Sequence, residues 1–84
     1  MPLSEEKITG IISNKLFELT YKRVSSTDEE LVDKGILTSI TIVELAVELE
    51  KAFSVSISFM EINEEHFKTV NTIKDLIQKI SSSS

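Results

Sequence analysis

The chain has 84 residues, which is enough for one domain with a single small core but leaves little room for an enclosed active site. Its composition, 40% hydrophobic and 27% charged, is typical of a globular domain, and the absence of cysteine excludes disulfides and thiolate metal sites. The net charge of −5 argues against nucleic acid as a partner, and the single histidine, His66, leaves no histidine pair for zinc.

No apolar run approaches the ~20 residues of a membrane span, and the first residues lack the pattern of a secretory signal, so we expect a cytoplasmic protein. Ten of the fourteen acidic residues lie between positions 28 and 65, where there are only two lysines. This acidic middle favours basic partner proteins, although a merely solvated surface would have the same composition.

The first helix is predicted over residues 4–20. Ser4 is a good N-cap, and two glutamates follow it in the first turn, where they complement the helix dipole. Apolar residues then recur at helical spacing: Ile8, Ile11, Ile12, Leu16 and Leu19. Residues 21–38 form a long connection with one helical turn at 28–33, and its later apolar residues are expected to tie it to the core: Leu31, Val32, Ile36 and Leu37.

The second helix is predicted over 38–53. Residues 55–59 alternate like a strand, but nothing could pair with it, so we interpret them as an extended connector. A short third helix is predicted over about 59–67. The last helix starts near Thr69 or Asn71 and buries Val70, Ile73, Leu76, Ile77 and Ile80, and a frayed tail is expected at 81–84.

These elements predict an all-α protein: a four-helix bundle with three main helices, a short third helix and a long first loop. We expect one domain over residues 1–84, with an ordered core at about 4–80. Such a core requires no metal ligand or other polar ligand.

The second helix has two apolar faces. One gathers the expected core residues, namely Ile42, Leu45, Ala46, Leu49, Ala52 and Phe53. Ile40, Val43 and Val47 form a stripe on the opposite side, which we call the outer stripe. The charged residues around the outer stripe are Glu44, Glu48, Glu50 and Lys51. An apolar strip rimmed by carboxylates is typical of a docking surface, but the long loop could equally fold over the stripe and bury it.

Ser39 is predicted at the first position of this helix. Gly35 permits a tight reversal before it, and Thr38 can cap the helix with its hydroxyl. A phosphate esterified to Ser39 would lie beside free N–H groups at the positive end of the dipole. Ser39 lacks a neighbouring base and a G-x-S-x-G elbow, so it is a poor nucleophile for catalysis. From the residues alone, a plain first-turn serine is the favoured interpretation.

The stretch 31–40, Leu-Val-Asp-Lys-Gly-Ile-Leu-Thr-Ser-Ile, resembles the acyl carrier protein signature, in which Asp-Ser-Leu or a close variant opens the second helix. The segments 42–53 and 67–73 are similar to that family's second helix and to the start of its fourth. Residues 61–67 resemble the D-alanyl carrier branch. The resemblance covers roughly residues 4–80.

The resemblance implies that Ser39 accepts 4′-phosphopantetheine from coenzyme A through a phosphopantetheinyl transferase. The chain would then gain one thiol, which holds acyl groups as thioesters, and would catalyse nothing itself. Members of the family meet partner enzymes through positions that match Ile40, Val43, Glu44, Val47 and Glu50.

Two positions depart from the family pattern. Thr38 stands where Asp is usual, which keeps the cap but removes a carboxylate beside the attachment site. Lys51 stands where fatty-acid carriers have an acid. Both departures indicate a specialised carrier.

Three functions remain open, and the first is the leading hypothesis. The first is a monomeric acyl carrier for a specialised fatty-acid, polyketide or lipid-modification pathway, served by loading ligases and acyl-transferring enzymes. The second is a D-alanyl or aminoacyl carrier loaded by an adenylating ligase. The third is an unmodified helical adaptor that uses the acidic face only for protein binding. We assign no catalytic role to His66, which is expected to be exposed or close to Glu64 or Glu65.

Overall fold

The computed structural model describes residues 4–83 and contains three α-helices: α1 (Glu5–Thr20), α2 (Ser39–Phe53) and α3 (Val70–Ser83). A single 3₁₀ turn, Phe59–Glu61, lies between α2 and α3. No strand occurs within residues 4–83, so the all-helical prediction and the extended connector before the 3₁₀ turn are confirmed. Within the same residues, no helix is long and apolar enough to cross a membrane.

α1 begins and ends with local hydrogen bonds. The Ser4 side chain accepts a hydrogen bond of 3.3 Å from the backbone N–H of Lys7, which confirms the predicted N-cap. At the other end, Tyr21 adopts a left-handed conformation with φ of 59°, and its N–H donates to the carbonyl of Phe17 at 2.7 Å. This bond satisfies a carbonyl that the helix leaves without a partner, and the chain then turns away from the helix axis.

The buried side chains form one apolar core between the helices. α1 contributes Ile8, Ile12 and Leu16; α2 contributes Ile42, Leu45, Ala46 and Leu49; α3 contributes Val70, Ile73, Leu76 and Ile77. The connecting segments add Leu31, Ile36, Leu37, Ile57 and Phe67. Three of the four loop residues predicted to reach the core are therefore buried, and the fourth, Val32, packs against it half-buried. Burial of this apolar surface is the main force that holds the first loop against the helices.

Hydrogen bonds also hold the first loop against the start of α3. The N–H of Leu31 donates to the carbonyl of Lys68 at 2.8 Å, and the N–H of Asn71 donates to the carbonyl of Thr27 at 3.0 Å. The Asn71 side-chain amide adds a bond of 2.6 Å to the carboxylate of Asp28. The loop turn itself lies at residues 31–35, slightly later than the predicted 28–33.

The short third helix predicted over 59–67 is replaced by the 3₁₀ turn and a series of turns, so a four-helix bundle is not confirmed. Asn63 explains the early end. Its amide donates to the carbonyl of Met60 at 2.9 Å, and its Oδ1 accepts from the N–H of His66 at 2.9 Å. In an α-helix the carbonyl of Met60 would accept from the N–H of Glu64, and the N–H of His66 would donate to the carbonyl of Ile62. The Asn63 side chain takes the place of both backbone partners.

α3 is capped and is longer than predicted. It begins at Val70, between the two predicted starts, and the backbone N–H groups of Thr69 and Thr72 each donate to the other residue's hydroxyl at 3.1 Å. The tail was expected to fray from Ser81, whereas α3 continues to Ser83. The Ser82 hydroxyl donates to the carbonyl of Gln78 at 2.8 Å, one turn earlier. Ser84 lies outside the described residues.

Candidate functional site

The turn before α2 is fixed by one carbonyl and one glycine. The carbonyl of Leu31 accepts hydrogen bonds from the N–H groups of Ile36 and Leu37, at 2.8 and 2.9 Å. Gly35 has φ of +74°, a conformation that side chains disfavour, which explains glycine at this reversal. Ile36 and Leu37 are buried, whereas the next two residues, Thr38 and Ser39, are exposed.

Thr38 is the N-cap of α2, as predicted, and it forms a reciprocal pair with Thr41. The Thr38 hydroxyl accepts from the N–H of Thr41 at 3.3 Å, and the Thr41 hydroxyl accepts from the N–H of Thr38 at 2.6 Å. This capping box satisfies two backbone donors with neutral side chains. The first turn of α2 contains no acidic residue. The positive end of the helix dipole is therefore not compensated by a carboxylate of that turn.

Ser39 is the first residue of α2, and its side chain is exposed. Within residues 4–83, no residue forms a hydrogen bond with its hydroxyl. The backbone N–H groups of Ser39 and Ile40 point out of the helix start, where the helix supplies no acceptor. An accessible hydroxyl beside uncompensated N–H groups fits a phosphodiester, whose oxygens can accept from those donors.

The outer stripe is exposed. The exposed fractions are 72% for Ile40, 50% for Val43 and 41% for Val47. The alternative in which the first loop covers the stripe is therefore wrong, because that loop's apolar side chains enter the core instead. The stripe begins one residue after Ser39, so a partner that binds it would also approach the Ser39 hydroxyl.

The three glutamates grouped around the stripe have different environments. Glu44 is exposed. Glu48 is half-buried and lies 3.9 Å from the ammonium nitrogens of both Lys15 and Lys51. Glu50 accepts a hydrogen bond of 2.7 Å from the N–H of Ile57, so its carboxylate holds the connector after α2 in place. Of the three, Glu44 is the one whose carboxylate is available to a partner.

Sequence reasoning missed the exposure of Phe59 and Met60. Both side chains are almost completely exposed in the 3₁₀ turn. The prediction of an α-helix over 59–67 assigned them to an ordinary amphipathic element. Two adjacent apolar residues outside any helical period were the signal available in the sequence.

His66 is half-buried, and its Nδ1 lies 3.0 Å from Oδ1 of Asn63. It therefore contacts an amide instead of the expected Glu64 or Glu65. The neighbouring Glu61 forms an ion pair of 2.6 Å with Lys79, and this contact lowers the pKa of the Glu61 carboxyl. Within residues 4–83, no group of three or more side chains is placed to hold a metal ion.

Residues 8–80 match the family model described as the phosphopantetheine attachment site. The chain is similar to the D-alanyl carrier protein of Streptococcus suis strain 05ZYH33, with 41% identity over 63 residues that cover 74% of this chain and 80% of the relative. It is also similar to the D-alanyl carrier protein of Streptococcus uberis, with 38% identity over 55 residues that cover 66% of this chain and 70% of the relative.

The match extends over most of the chain, and the structure supplies an accessible serine at a helix start within it. The chain belongs to the phosphopantetheine-attachment family and is a carrier protein. Its prosthetic group is covalently bound 4′-phosphopantetheine.

Proposed function

We propose that this protein is an aminoacyl carrier of the D-alanyl type, with 4′-phosphopantetheine attached through Oγ of Ser39. The observation that supports this attachment site is the exposed hydroxyl of Ser39, which forms no hydrogen bond with any residue of the described range 4–83. The names of the similar proteins support the aminoacyl cargo over the fatty-acid or polyketide cargo that the sequence motif alone favoured.

The chain's own residues would anchor and present the group. Thr38 and Thr41 hold the helix start rigid, so the N–H groups of the first turn keep a fixed direction toward a phosphate on Ser39. The prosthetic group supplies a thiol, which holds the aminoacyl group as a thioester. The protein contributes an anchor and a recognition surface, and the catalytic groups belong to its partners.

The partners follow from this chemistry. A phosphopantetheinyl transferase would modify Ser39, and an adenylating ligase would activate and load the amino acid. The outer stripe and Glu44 favour partner surfaces with an apolar patch and a basic rim, since apolar contact gives affinity and charge gives orientation. We expect the protein to act as a monomer in the cytoplasm, where coenzyme A and ATP are available.

The loading reaction tests the cargo. Phosphopantetheine-bearing protein is incubated with ATP, D-alanine and a D-alanine-specific adenylating ligase, and the intact mass is measured before and after hydroxylamine treatment. We expect one alanyl group that hydroxylamine removes, because thioesters are cleaved by this nucleophile. Octanoate with an acyl-carrier synthetase is the matched comparison, and faster loading with octanoate would favour a fatty-acyl carrier.

The unmodified protein is the control for this experiment. It lacks cysteine, so a thioester, which hydroxylamine cleaves at neutral pH, requires the prosthetic group. Alanyl transfer to the unmodified chain would contradict the proposed route.

A further inference from the structure

A second polar site lies on α1, outside the α2 surface described above. The end of α1 and the residues after it enclose a small cleft of about 200 Å³, lined by Ser13, Asn14, Phe17, Arg23 and Val24. The Phe17 ring, which lines the cleft, also meets the ring of Tyr21 edge to face with centroids 6.3 Å apart. The left-handed turn at Tyr21 brings the chain back, so that Arg23 and Val24 face the helix they have just left.

Arg23 is held over the cleft by an aromatic ring. Its Cζ lies 4.8 Å from the centroid of Phe17, a distance at which a guanidinium and a ring attract each other. In the described part of the chain, the N–H groups of this guanidinium have no hydrogen-bond partner. Within residues 4–83, no carboxylate forms an ion pair with Arg23. The charge is therefore positioned but not neutralised, in a protein that has fourteen acidic residues.

The cleft faces away from α2. Lys15 marks the side of α1 that faces α2, because its ammonium lies 3.9 Å from the carboxylate of Glu48. Ser13 and Phe17 are each two residues from Lys15, which places them about 160° around the helix. Ser39 lies nine residues before Glu48, about 13.5 Å further along α2. A molecule in the cleft would leave the Ser39 hydroxyl and the outer stripe accessible.

The size and the donors of the cleft limit what it can hold. A volume of about 200 Å³ is below the roughly 300–1,000 Å³ of small-molecule sites, so the cleft fits one side chain better than a cofactor. The guanidinium, the Ser13 hydroxyl and the Asn14 amide all donate hydrogen bonds, and the planar guanidinium matches a carboxylate with two parallel bonds. The Phe17 ring and Val24 offer apolar contact beside these donors.

We propose that this cleft is a second docking site, which takes an aspartate or glutamate side chain flanked by an apolar residue, presented by an acidic segment of a partner protein. The polarity is the reverse of the α2 face, where the carrier supplies the carboxylate of Glu44. The two surfaces therefore select different partners, or opposite ends of one partner. A protein docked at the cleft holds the carrier while the prosthetic group remains free to visit an enzyme.

The test uses nuclear magnetic resonance on the ¹⁵N-labelled, phosphopantetheine-bearing protein at low salt. The probe is the peptide acetyl-Gly-Leu-Glu-Leu-Gly-amide, and the control probe has Gln in place of Glu. We expect the Glu peptide to shift the amide resonances of Ser13, Asn14, Phe17, Arg23 and Val24, and the Gln peptide to bind at least tenfold more weakly. The protein without the prosthetic group should bind the Glu peptide equally well, which separates this proposal from the function of Ser39.

Two variants locate the binding. Arg23→Gln should weaken the Glu peptide at least tenfold, and Arg23→Lys should also weaken it, because lysine keeps the charge but loses the planar pair of donors. Lys7→Gln removes the same charge from α1 outside the cleft and should bind like the original protein. The proposal would be overturned if both peptides caused equal shifts, or if Lys7→Gln weakened binding as much as Arg23→Gln. It would also be overturned if the Glu peptide caused no shifts at millimolar concentration, or if inorganic phosphate bound more strongly than the peptide.

Discussion

α2 and α3 have similar inner faces and different outer faces. Each turns four buried apolar residues toward the same core. On the outer side of α3 the exposed residues are polar, including Asp75 and Lys79. On the outer side of α2 the exposed residues include Ile40, Val43 and Val47.

This difference separates residues required for folding from residues available for binding. The apolar residues of α3 are accounted for by the core. Those of the outer stripe of α2 are exposed to water, which gives the folded chain little stability in return. Contact with partner enzymes explains why an apolar strip lies exposed beside an accessible serine. Two predictions test this division and two concern local contacts outside it, in order of decreasing effect.

A matched pair of Ile→Ala substitutions gives the largest contrast. Ile77→Ala removes a fully buried side chain of α3, so we expect the free energy of unfolding to fall by about 2–5 kcal/mol. Ile40→Ala removes the same atoms from the outer stripe of α2, where the change should be within about 0.5 kcal/mol. Urea unfolding monitored by circular dichroism measures both. Equal losses in the two variants would remove the distinction between the faces.

Polar substitutions in the outer stripe should affect loading more than stability. We expect Val43→Ser with Val47→Ser to lower kcat/KM of the loading ligase roughly tenfold, equivalent to about 1.4 kcal/mol, because apolar contact with the ligase is lost. Asp75→Ser with Lys79→Ser on the outer side of α3 is the control and should leave kcat/KM unchanged. If kcat/KM were unchanged for the outer-stripe variant, the ligase would bind elsewhere on the protein.

Loss of the Thr38 cap should lower the free energy of unfolding by less than loss of a buried core side chain. Thr38→Ala removes the hydroxyl that accepts from the N–H of Thr41, and we expect the free energy of unfolding to fall by about 1 kcal/mol. Thr38→Asp keeps the cap and adds a charge that favours the helix dipole, so stability should be retained. Thermal unfolding of the three proteins measures the effect. Equal melting temperatures would mean that the cap does not stabilise α2.

The smallest predicted effect is on the stability of the protein at acidic pH, and it arises from Glu29 in the first loop. Hydrogen bonds from the hydroxyl and the N–H of Ser25, both 2.6 Å, lower the pKa of the Glu29 carboxyl. The folded state therefore binds this proton less readily than the unfolded state, and stability is lost as pH falls below the ordinary value of 4.5. Glu29→Gln should melt at a temperature that depends less on pH in this acidic range. If the melting temperature of Glu29→Gln kept its full pH dependence, that dependence would arise from other carboxylates.

The sequence predicted much of this structure because the relevant signals are local. A serine or threonine before an apolar helical period marks a helix start, and both Ser4 and Thr38 cap as expected. The helical period also separated the inner face of α2 from the outer stripe, but it was wrong for Ala52, which is exposed near the end of the helix, and Phe53 is only half-buried. Periodicity could not show whether the stripe was exposed, since that depends on where an 18-residue loop lies. The outer stripe is exposed because the apolar residues of that loop are themselves buried in the core.

The rest depended on contacts that no short motif encodes. Asn63 replaces backbone pairing with side-chain bonds, which ends the third element after one turn. Glu50 was predicted, together with Glu44, to lie beside the outer stripe, yet its carboxylate accepts a hydrogen bond from the N–H of Ile57 across the connector. The cleft beside Arg23 requires a left-handed tyrosine, which composition and spacing do not reveal.

The most direct test of the carrier function is the mass of the protein after incubation with coenzyme A and a broad-specificity phosphopantetheinyl transferase. We predict the addition of one phosphopantetheine to the original protein and none to Ser39→Ala, with helicity unchanged in the variant. Thr38→Asp, tested in parallel, shows whether the neutral cap slows the transferase. An equal addition to Ser39→Ala, or no addition to the original protein or to Thr38→Asp with several transferases, would contradict attachment at Ser39.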